Sequence, residues 1–315
     1  MQALWIAVAL LLAAGESTAQ IYPAKPLKLV VPAPAGGPTD VPARLMADGL
    51  SALLGQRLVV ENKPGAGGLI AAEFVARAEP DGYTLLFANT SVVAVIPALQ
   101  PKIAYDPAAF VPIGFVSNSP QLLIASLKFP AKSVRELVDY AKAHPGKVNF
   151  ASGGVGTLPH LTYELFRLEA GIDAIHVPYA GGAPATTALI AGQADVLFDL
   201  VRTRVKSGEV RALAITGERR DPDLPDVPTI AEAGYPAVTS TSITGLVAPP
   251  GTPKAIAAAV NVKLNELHRS AEFAAKMKSL GVVPKASTPE EFAAYTARER
   301  EKWVRVVKLS GAKPE

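Results

Sequence analysis

Short apolar runs rich in β-branched residues alternate with longer segments of helical periodicity along most of the chain. Strands are predicted at 27–31, 58–60, 84–88, 111–116, 122–125, 148–151, 175–179, 196–198, 212–216 and 245–248, and helices at 41–54, 68–77, 133–143, 158–169, 183–191, 253–267, 271–279 and 289–307. Such alternation is typical of an α/β protein whose mainly parallel sheets are flanked by helices.

The number of predicted strands is large for a single sheet, so we expect two lobes with a ligand cleft between them. Lobe 1 is expected to hold residues 20–118 and 240–315, and lobe 2 residues 119–239. The chain would cross between lobes near Ser117–Pro120 and again between Tyr235 and Thr244. In α/β sheets, ligands bind beyond the carboxyl ends of the strands, and two facing lobes can share one such site.

Four loops at predicted strand ends are rich in small and hydroxyl-bearing residues. The first, Pro34–Asp40, joins a strand to a helix through Gly36 and Gly37. The others are the segments 149–160, 176–185 and 88–92. A glycine loop before a helix directs backbone N–H groups and a positive dipole end at one point, which favours an anion. Four such loops predict a shared anion site better than four unrelated turns.

Known catalytic motifs do not match these loops. Gly154-Val155-Gly156 begins like a dinucleotide fingerprint, but Pro159 stands where its last glycine is needed. The chain has no P-loop, no nucleophile elbow and no cysteine, and its four histidines lack metal-ligand spacing. We therefore predict no cofactor and no metal site. His160, beside the second loop, is a candidate for the wall of the site. Asp199 is expected either to line the cleft or to cap the next element, and Asp40 to cap its own helix.

The first residues indicate export. Ala3–Ala14 is apolar but too short to span a membrane, and Ser17 and Ala19 fit a signal-peptidase site. The expected signal peptide is 1–19, cleaved near Ala19-Gln20 to give a periplasmic product, although its usual basic start is missing. Positive and negative residues are nearly balanced, with 31 against 28, and interspersed, so nucleic acid is not an expected partner.

Motifs in order along nearly the whole mature chain resemble those of the Bug-type extracytoplasmic solute receptors, which are substrate-binding components of tripartite tricarboxylate transporters. The motifs are Tyr22-Pro23-x-x-Pro26, 34–40, 60–68, 80–86, 176–179, 211–214, 226–234 and Ala248-Pro249-x-Gly251-Thr252-Pro253. The resemblance implies a two-lobed periplasmic-binding-protein fold that closes on a small carboxylate. It also implies a monomer that serves membrane transporter subunits or a sensor.

In such receptors backbone amides, hydroxyl groups and water hold most of the carboxylate. The resemblance implies the following contacts: Ala35, Gly36, Gly37, Thr39, Ser91, Ser152, Gly153, Gly156, Thr157, Tyr179, Gly181, Gly182, Ala183 and Asp199. Three segments depart from the family pattern: Ile96-Pro97, Ser242–Gly245 and the short basic segment 200–206. They bear on the identity of the ligand rather than on the fold.

A second interpretation of the same cleft is an α/β enzyme acting on a small organic acid. It would need a titratable catalytic pair. His160 with Asp199 is the pair that the sequence offers, and their separation along the chain leaves their relative placement open.

Overall fold

A computed structural model describes residues 22–100 and 102–313. The expected signal peptide and its cleavage site near Ala19 lie outside the described residues.

The first sheet has five strands in the order β2-β1-β3-β10-β4. Its strands are β1 Leu27–Val31, β2 Leu58–Asn62, β3 Thr84–Asn89, β4 Val111–Pro120 and β10 Thr241–Ala248. Only β10 runs against the other four, since it pairs antiparallel with both β3 and β4. Leu29, Val30 and Val31 are fully buried in β1, as expected for a strand covered on both faces.

The second sheet repeats this plan in the order β7-β6-β8-β5-β9. Its strands are β5 Leu122–Ala125, β6 Asn149–Ser152, β7 Ile175–Pro178, β8 Val196–Asp199 and β9 Arg211–Ile215. Here β5 is the reversed strand, paired antiparallel with β8 and β9. Two mainly parallel sheets flanked by helices confirm the predicted fold class. The exact lobe bounds stay a prediction, but "lobe 1" and "lobe 2" below mean the first and second sheets with their helices.

The described helices lie close to their predicted positions. They are α1 Asp40–Leu54, α2 Leu69–Ala76, α3 Ile96–Leu99, α4 Val134–Ala143, α5 Leu158–Ala170, α6 Gly182–Ala191, α7 Arg202–Lys206, α8 Lys254–His268, α9 Ala271–Ser279 and α10 Pro289–Ser310. In α4 the buried residues Val134, Leu137, Val138 and Ala141 recur at helical spacing, so one face packs on the core. Two short helices, α3 and α7, were missed because neither spans enough residues to show a helical period.

The two lobe crossings are strands rather than loops. β4 continues to Pro120, and only Gln121 separates it from β5, which begins at Leu122. On the return, β10 starts at Thr241. Thr241 pairs with Pro120 and Thr244 with Ser117, so β4 and β10 form a two-stranded ribbon at the junction. We call 117–120 with 241–244 the hinge ribbon. None of the helices in the described ranges is both long and apolar enough to cross a membrane.

Candidate ligand cleft

A cleft of about 910 Å³ lies between the lobes, on one face of the hinge ribbon. Ser117, Ser119, Ser242 and Thr244 of the ribbon form its floor. Among the fourteen predicted contacts, five line this cleft: Thr39, Gly181, Gly182, Ala183 and Asp199. The structure therefore brings the first and third loops together across the lobes.

Hydrogen bonds to Asp40, the first residue of α1, hold the first loop in place. Gly36 has a φ of +76°, a left-handed conformation that favours glycine. Its N–H donates to Oδ2 of Asp40 at 2.8 Å, and Asn62 donates to Oδ1 of Asp40 and to the carbonyl of Ala33. Arg44 also donates to Asp40 at 2.7 Å. The Gly36 N–H is thus already used, and the carboxylate fixes the loop.

Asp40 is therefore not the helix cap that the sequence suggested. Thr39 occupies the N-cap position, and Asp40 is the first residue of α1. Burial alone would raise the pKa of Asp40, but the hydrogen bonds from Arg44, Asn62 and Gly36 outweigh it and leave the pKa below its usual range. A buried anion here also suits the positive end of α1.

The second loop is tied together by its own polar groups. Ser152 is fully buried, and its hydroxyl contacts the Nε2 atom of His176 at 2.6 Å and the N–H of Gly154 at 3.1 Å. Thr157 caps α5 and donates to the carbonyl of Gly154 at 2.8 Å. These two hydroxyl groups organise the loop, and Ser152 and Thr157 are not among the residues that line the described cleft.

Two stacked histidines support the second loop from behind. The rings of His160 and His176 lie 4.1 Å apart, and Nδ1 of His160 accepts the N–H of Gly156. Burial lowers the pKa of His176 to about 4, and burial together with the neighbouring His176 lowers the pKa of His160 to about 4. Both are therefore neutral at pH 7. His160 supports the loop and does not line the cleft.

The second and third loops touch each other. A β-carbon added at Gly153 would lie 3.0 Å from the backbone nitrogen of Gly182, and the N–H of Tyr179 donates to the carbonyl of Ser152. Gly156 instead approaches lobe 1, because a β-carbon there would lie 2.9 Å from Leu99. Neither Tyr179 nor these two glycines is among the cleft-lining residues.

Asp199 stands at the amino end of α6. Its Oδ2 accepts the hydroxyl hydrogen of Thr186 at 3.1 Å, and its Oδ1 accepts the N–H of Leu200 at 2.7 Å. A β-carbon at Gly182 would lie 3.4 Å from Oδ2. Burial raises the pKa of Asp199, and the two hydrogen bonds oppose this shift. Asp199 thus lines the cleft and also holds the start of the next segment.

The fourth loop places Ser91 in a π-helical turn, Ser91–Val95, that follows β3. Its neighbours are committed elsewhere: Asn89 accepts the N–H of Val92, and Thr90 accepts the N–H of Ile243 in β10. Ser91, Ala35, Gly36 and Gly37 are not among the lining residues, and their roles as contacts stay predictions.

The structure adds cleft residues that the loops did not suggest. Alternate hydroxyl groups of the hinge ribbon face the cleft, and Ser117 and Thr244 hydrogen-bond each other at 2.7 Å. The 200–204 segment supplies further wall residues, including Leu200, Thr203 and Arg204. Period-two spacing of small hydroxyl residues at 117, 119, 242 and 244 was a usable signal for the ribbon. In the described ranges no three His, Asp or Glu residues cluster as metal ligands would.

Comparison with known proteins assigns the chain to a family. A family model described as "Tripartite tricarboxylate transporter family receptor" matches residues 42–311. The chain belongs to this receptor family. It is a family of solute-binding proteins, which agrees with a cleft between two lobes.

Relatives support the Bug-type assignment. The chain is 37% identical to Protein BugT of Bordetella pertussis over 305 residues, which cover 95% of this chain and 94% of BugT. A Rhodopseudomonas palustris protein with adipate superposes with a TM-score of 0.82 at 34% identity, covering 93% of this chain and all of that one. MatC of Rhodopseudomonas palustris with bound malate superposes with a TM-score of 0.78 at 35% identity, and the match covers 91% of this chain and 100% of MatC.

Proposed function

We propose that this receptor captures a small dicarboxylate in the cleft between its lobes. The observation that carries the proposal is the arrangement of the cleft wall. The amino end of α6, at Gly181–Ala183, faces a hydroxyl-lined ribbon and Thr39 of the first loop. Helix amides and hydroxyl groups can hold a carboxylate without a charged partner.

The bound ligands of two relatives agree with this chemistry. The structures similar to this chain contain adipate and malate, which are dicarboxylates of different length. A cleft of about 910 Å³ is large enough for either, with room for bridging water. The half-buried Asp199 lies at one side of this helix end and disfavours a second carboxylate beside it. We therefore expect the ligand carboxylate on the side of Thr39 and the hinge ribbon, and a ligand hydroxyl or amino group facing Asp199.

A thermal-shift screen tests the proposal. The protein is first unfolded and refolded to remove any ligand carried from the cell, and then titrated with C4–C6 dicarboxylates, citrate, aromatic acids and amino acids. A ligand at 100 times its Kd stabilises the folded state by about 2.7 kcal/mol. For a chain of this size that raises the melting temperature by roughly 4 °C.

The proposal fails if no carboxylate raises the melting temperature and native mass spectrometry of the untreated protein finds no bound small molecule. Turnover of an organic acid by the purified protein would instead favour the enzyme interpretation. His160 and Asp199, the pair that an enzyme would need, each have other partners: His176 for the first and Thr186 for the second.

The remaining expectations concern where the receptor works. We infer that it is exported to the periplasm and passes its ligand, as a monomer, to membrane subunits of a tripartite tricarboxylate transporter or to a sensor. The apolar N-terminal block and the family assignment support this inference. Cell fractionation and the solution mass of the purified protein check it, and a cytoplasmic or dimeric product would contradict it.

A further inference from the structure

A second cavity of about 700 Å³ lies on the opposite face of the hinge ribbon. Successive residues of a strand point to opposite faces, so Ser117 and Ser119 face the ligand cleft while Asn118 and Pro120 face this rear cavity. In β10, Ser242 and Thr244 face the cleft and Thr241 the rear. We call this second space the rear cavity.

The rear cavity is bounded by both lobes. The loop 216–222, which follows β9 of lobe 2, forms one wall. The other wall is Lys285, which follows α9 of lobe 1, with one face of α10, a helix that packs on β4 of lobe 1 and also on α5 of lobe 2. A molecule held in this cavity would therefore contact both sides of the junction.

Three of the cations on these walls are already used. Arg202 pairs with Asp221, and Lys302 pairs with Glu299 at 2.6 Å. The remaining oxygen of Glu299 accepts the indole N–H of Trp303. These two acids are therefore neutralised by their partners.

Arg220 is the third committed cation. It binds Glu232, outside the cavity, and the carbonyl of Pro225. The charge of Arg220 is therefore neutralised by Glu232 and does not add to the net charge of the cavity walls.

Three further cations lack an acidic partner within 4 Å in the described part of the chain: Arg219, Lys285 and Arg298. The ammonium of Lys285 lies 4.5 Å from the centre of the Phe115 ring, which holds it in place without neutralising it. Glu218 is the one lining acid without a basic partner in the same ranges. The walls thus carry an excess of about two positive charges, shared between the lobes.

We propose that the rear cavity is a second binding site, for a small anion with two or more negative charges. Arg219 would bind it from lobe 2, and Lys285 with Arg298 from lobe 1. Guanidinium groups bind phosphate and carboxylate in bidentate fashion, which suits an anion that bridges two walls.

The position of the site predicts its effect on the cleft. When the lobes rotate about the hinge ribbon, closing one face opens the other. An anion that ties loop 216–222 to Lys285 holds the rear face narrow and so favours an open ligand cleft. Binding of the rear anion and of the cleft ligand should then weaken each other by the same factor.

Calorimetric titration with pyrophosphate, and separately with citrate, tests the site on the whole protein. We expect one pyrophosphate per chain, with an affinity that falls as salt is added. The double variant K285Q/R298Q should bind at least about tenfold more weakly, and R219Q should weaken binding in the same direction. The matched control is R305Q, an exposed arginine on the same helix that does not line the cavity.

The outcomes separate cleanly. Pyrophosphate binding that K285Q/R298Q loses and R305Q keeps supports the site, and citrate binding with the same dependence extends it to carboxylates. No binding of pyrophosphate, or binding that neither K285Q/R298Q nor R219Q changes while their melting temperatures stay normal, overturns it.

A second titration tests the coupling and rests on the proposed function. Saturating pyrophosphate should weaken binding of the cleft dicarboxylate in the wild type but not in K285Q/R298Q. Unchanged dicarboxylate affinity in the wild type would refute the coupling. Since the pyrophosphate titration needs no cleft ligand, its result stands even if no dicarboxylate binds.

Discussion

The glycines of the predicted site have different roles, although the sequence presents them alike. Position 36 needs a glycine because its φ is positive, and the N–H of Gly36 donates to Asp40. Gly153 is required because its neighbour is the backbone of Gly182 at 3.0 Å. Valine at either position would deform a loop, so lost binding would not prove a ligand contact. Gly182 lies in the cleft wall and has no positive φ, which makes it the better probe.

The substitution Gly182→Val should abolish dicarboxylate binding and leave the fold intact. Its side chain would fill the space before the amino end of α6, while the position itself is exposed and helical. We expect at least about a hundredfold loss of affinity, measured by calorimetry, with a melting temperature of the free protein within a few degrees of wild type.

The control is Ala191→Val, which adds two methyl groups at the exposed far end of the same helix. Normal affinity in Gly182→Val, together with a normal melting temperature, would remove α6 from the binding site.

At the scale of elements, each loop depends on a residue distant in sequence. Asn62 at the end of β2 supports the first loop, and His176 in β7 supports the second through Ser152. The stacked histidines make the second loop sensitive to acid. Their pKa values of about 4 lie below the value near 6.5 of an unfolded chain, so the unfolded state binds more protons between these limits.

The sign of the pH dependence follows from this difference. The histidine contribution is complete above pH 6.5 and is lost progressively as the pH falls toward 4. The loss is on the order of 2 kcal/mol at the buried His160 and smaller at His176, where water screens part of the charge. Urea unfolding at pH 7.5 and pH 5 should show this decrease in the wild type.

The variant His160→Gln should flatten the pH dependence of stability, whereas His144→Gln, at an exposed histidine, should not. Equal pH dependence in the wild type and in His160→Gln would contradict this account of the histidine pair.

At the scale of the molecule, Arg202 joins the lobes behind the cleft. From α7 of lobe 2 it pairs with Asp221 and donates to the carbonyl groups of Pro120 in the hinge ribbon and of Gly281 after α9. Both side chains of the pair are about 10% exposed. The basic segment 200–206, which departs from the family pattern, thus contains an inter-lobe contact.

Replacing Arg202 with methionine should lower the free energy of unfolding by roughly 3–5 kcal/mol, because Asp221 is left as a buried, unpaired charge. Asp221→Leu alone should cost a similar amount, and the double variant should cost less than the sum of the two. Urea unfolding of the four proteins measures the coupling. Strict additivity would show that the pair does not act as a unit.

The sequence by itself determined the fold class, most strand and helix positions and the receptor family. These follow from local periodicity and from contiguous motifs, which a single chain displays directly. The family resemblance also named Thr39, Gly181, Gly182, Ala183 and Asp199 as ligand contacts. These five residues line the cleft, and their contact with a ligand stays a prediction.

Only the tertiary structure decided what each polar group binds. Asp40 meets Asn62, twenty-two residues away, and Ser152 meets His176 across neighbouring strands. The hinge ribbon pairs Ser117 with Thr244 and sets a cleft on one face and a cationic cavity on the other. Such contacts depend on which distant segments pair and in what register, and the periodicity of one segment shows which face it buries but not which segment it pairs with.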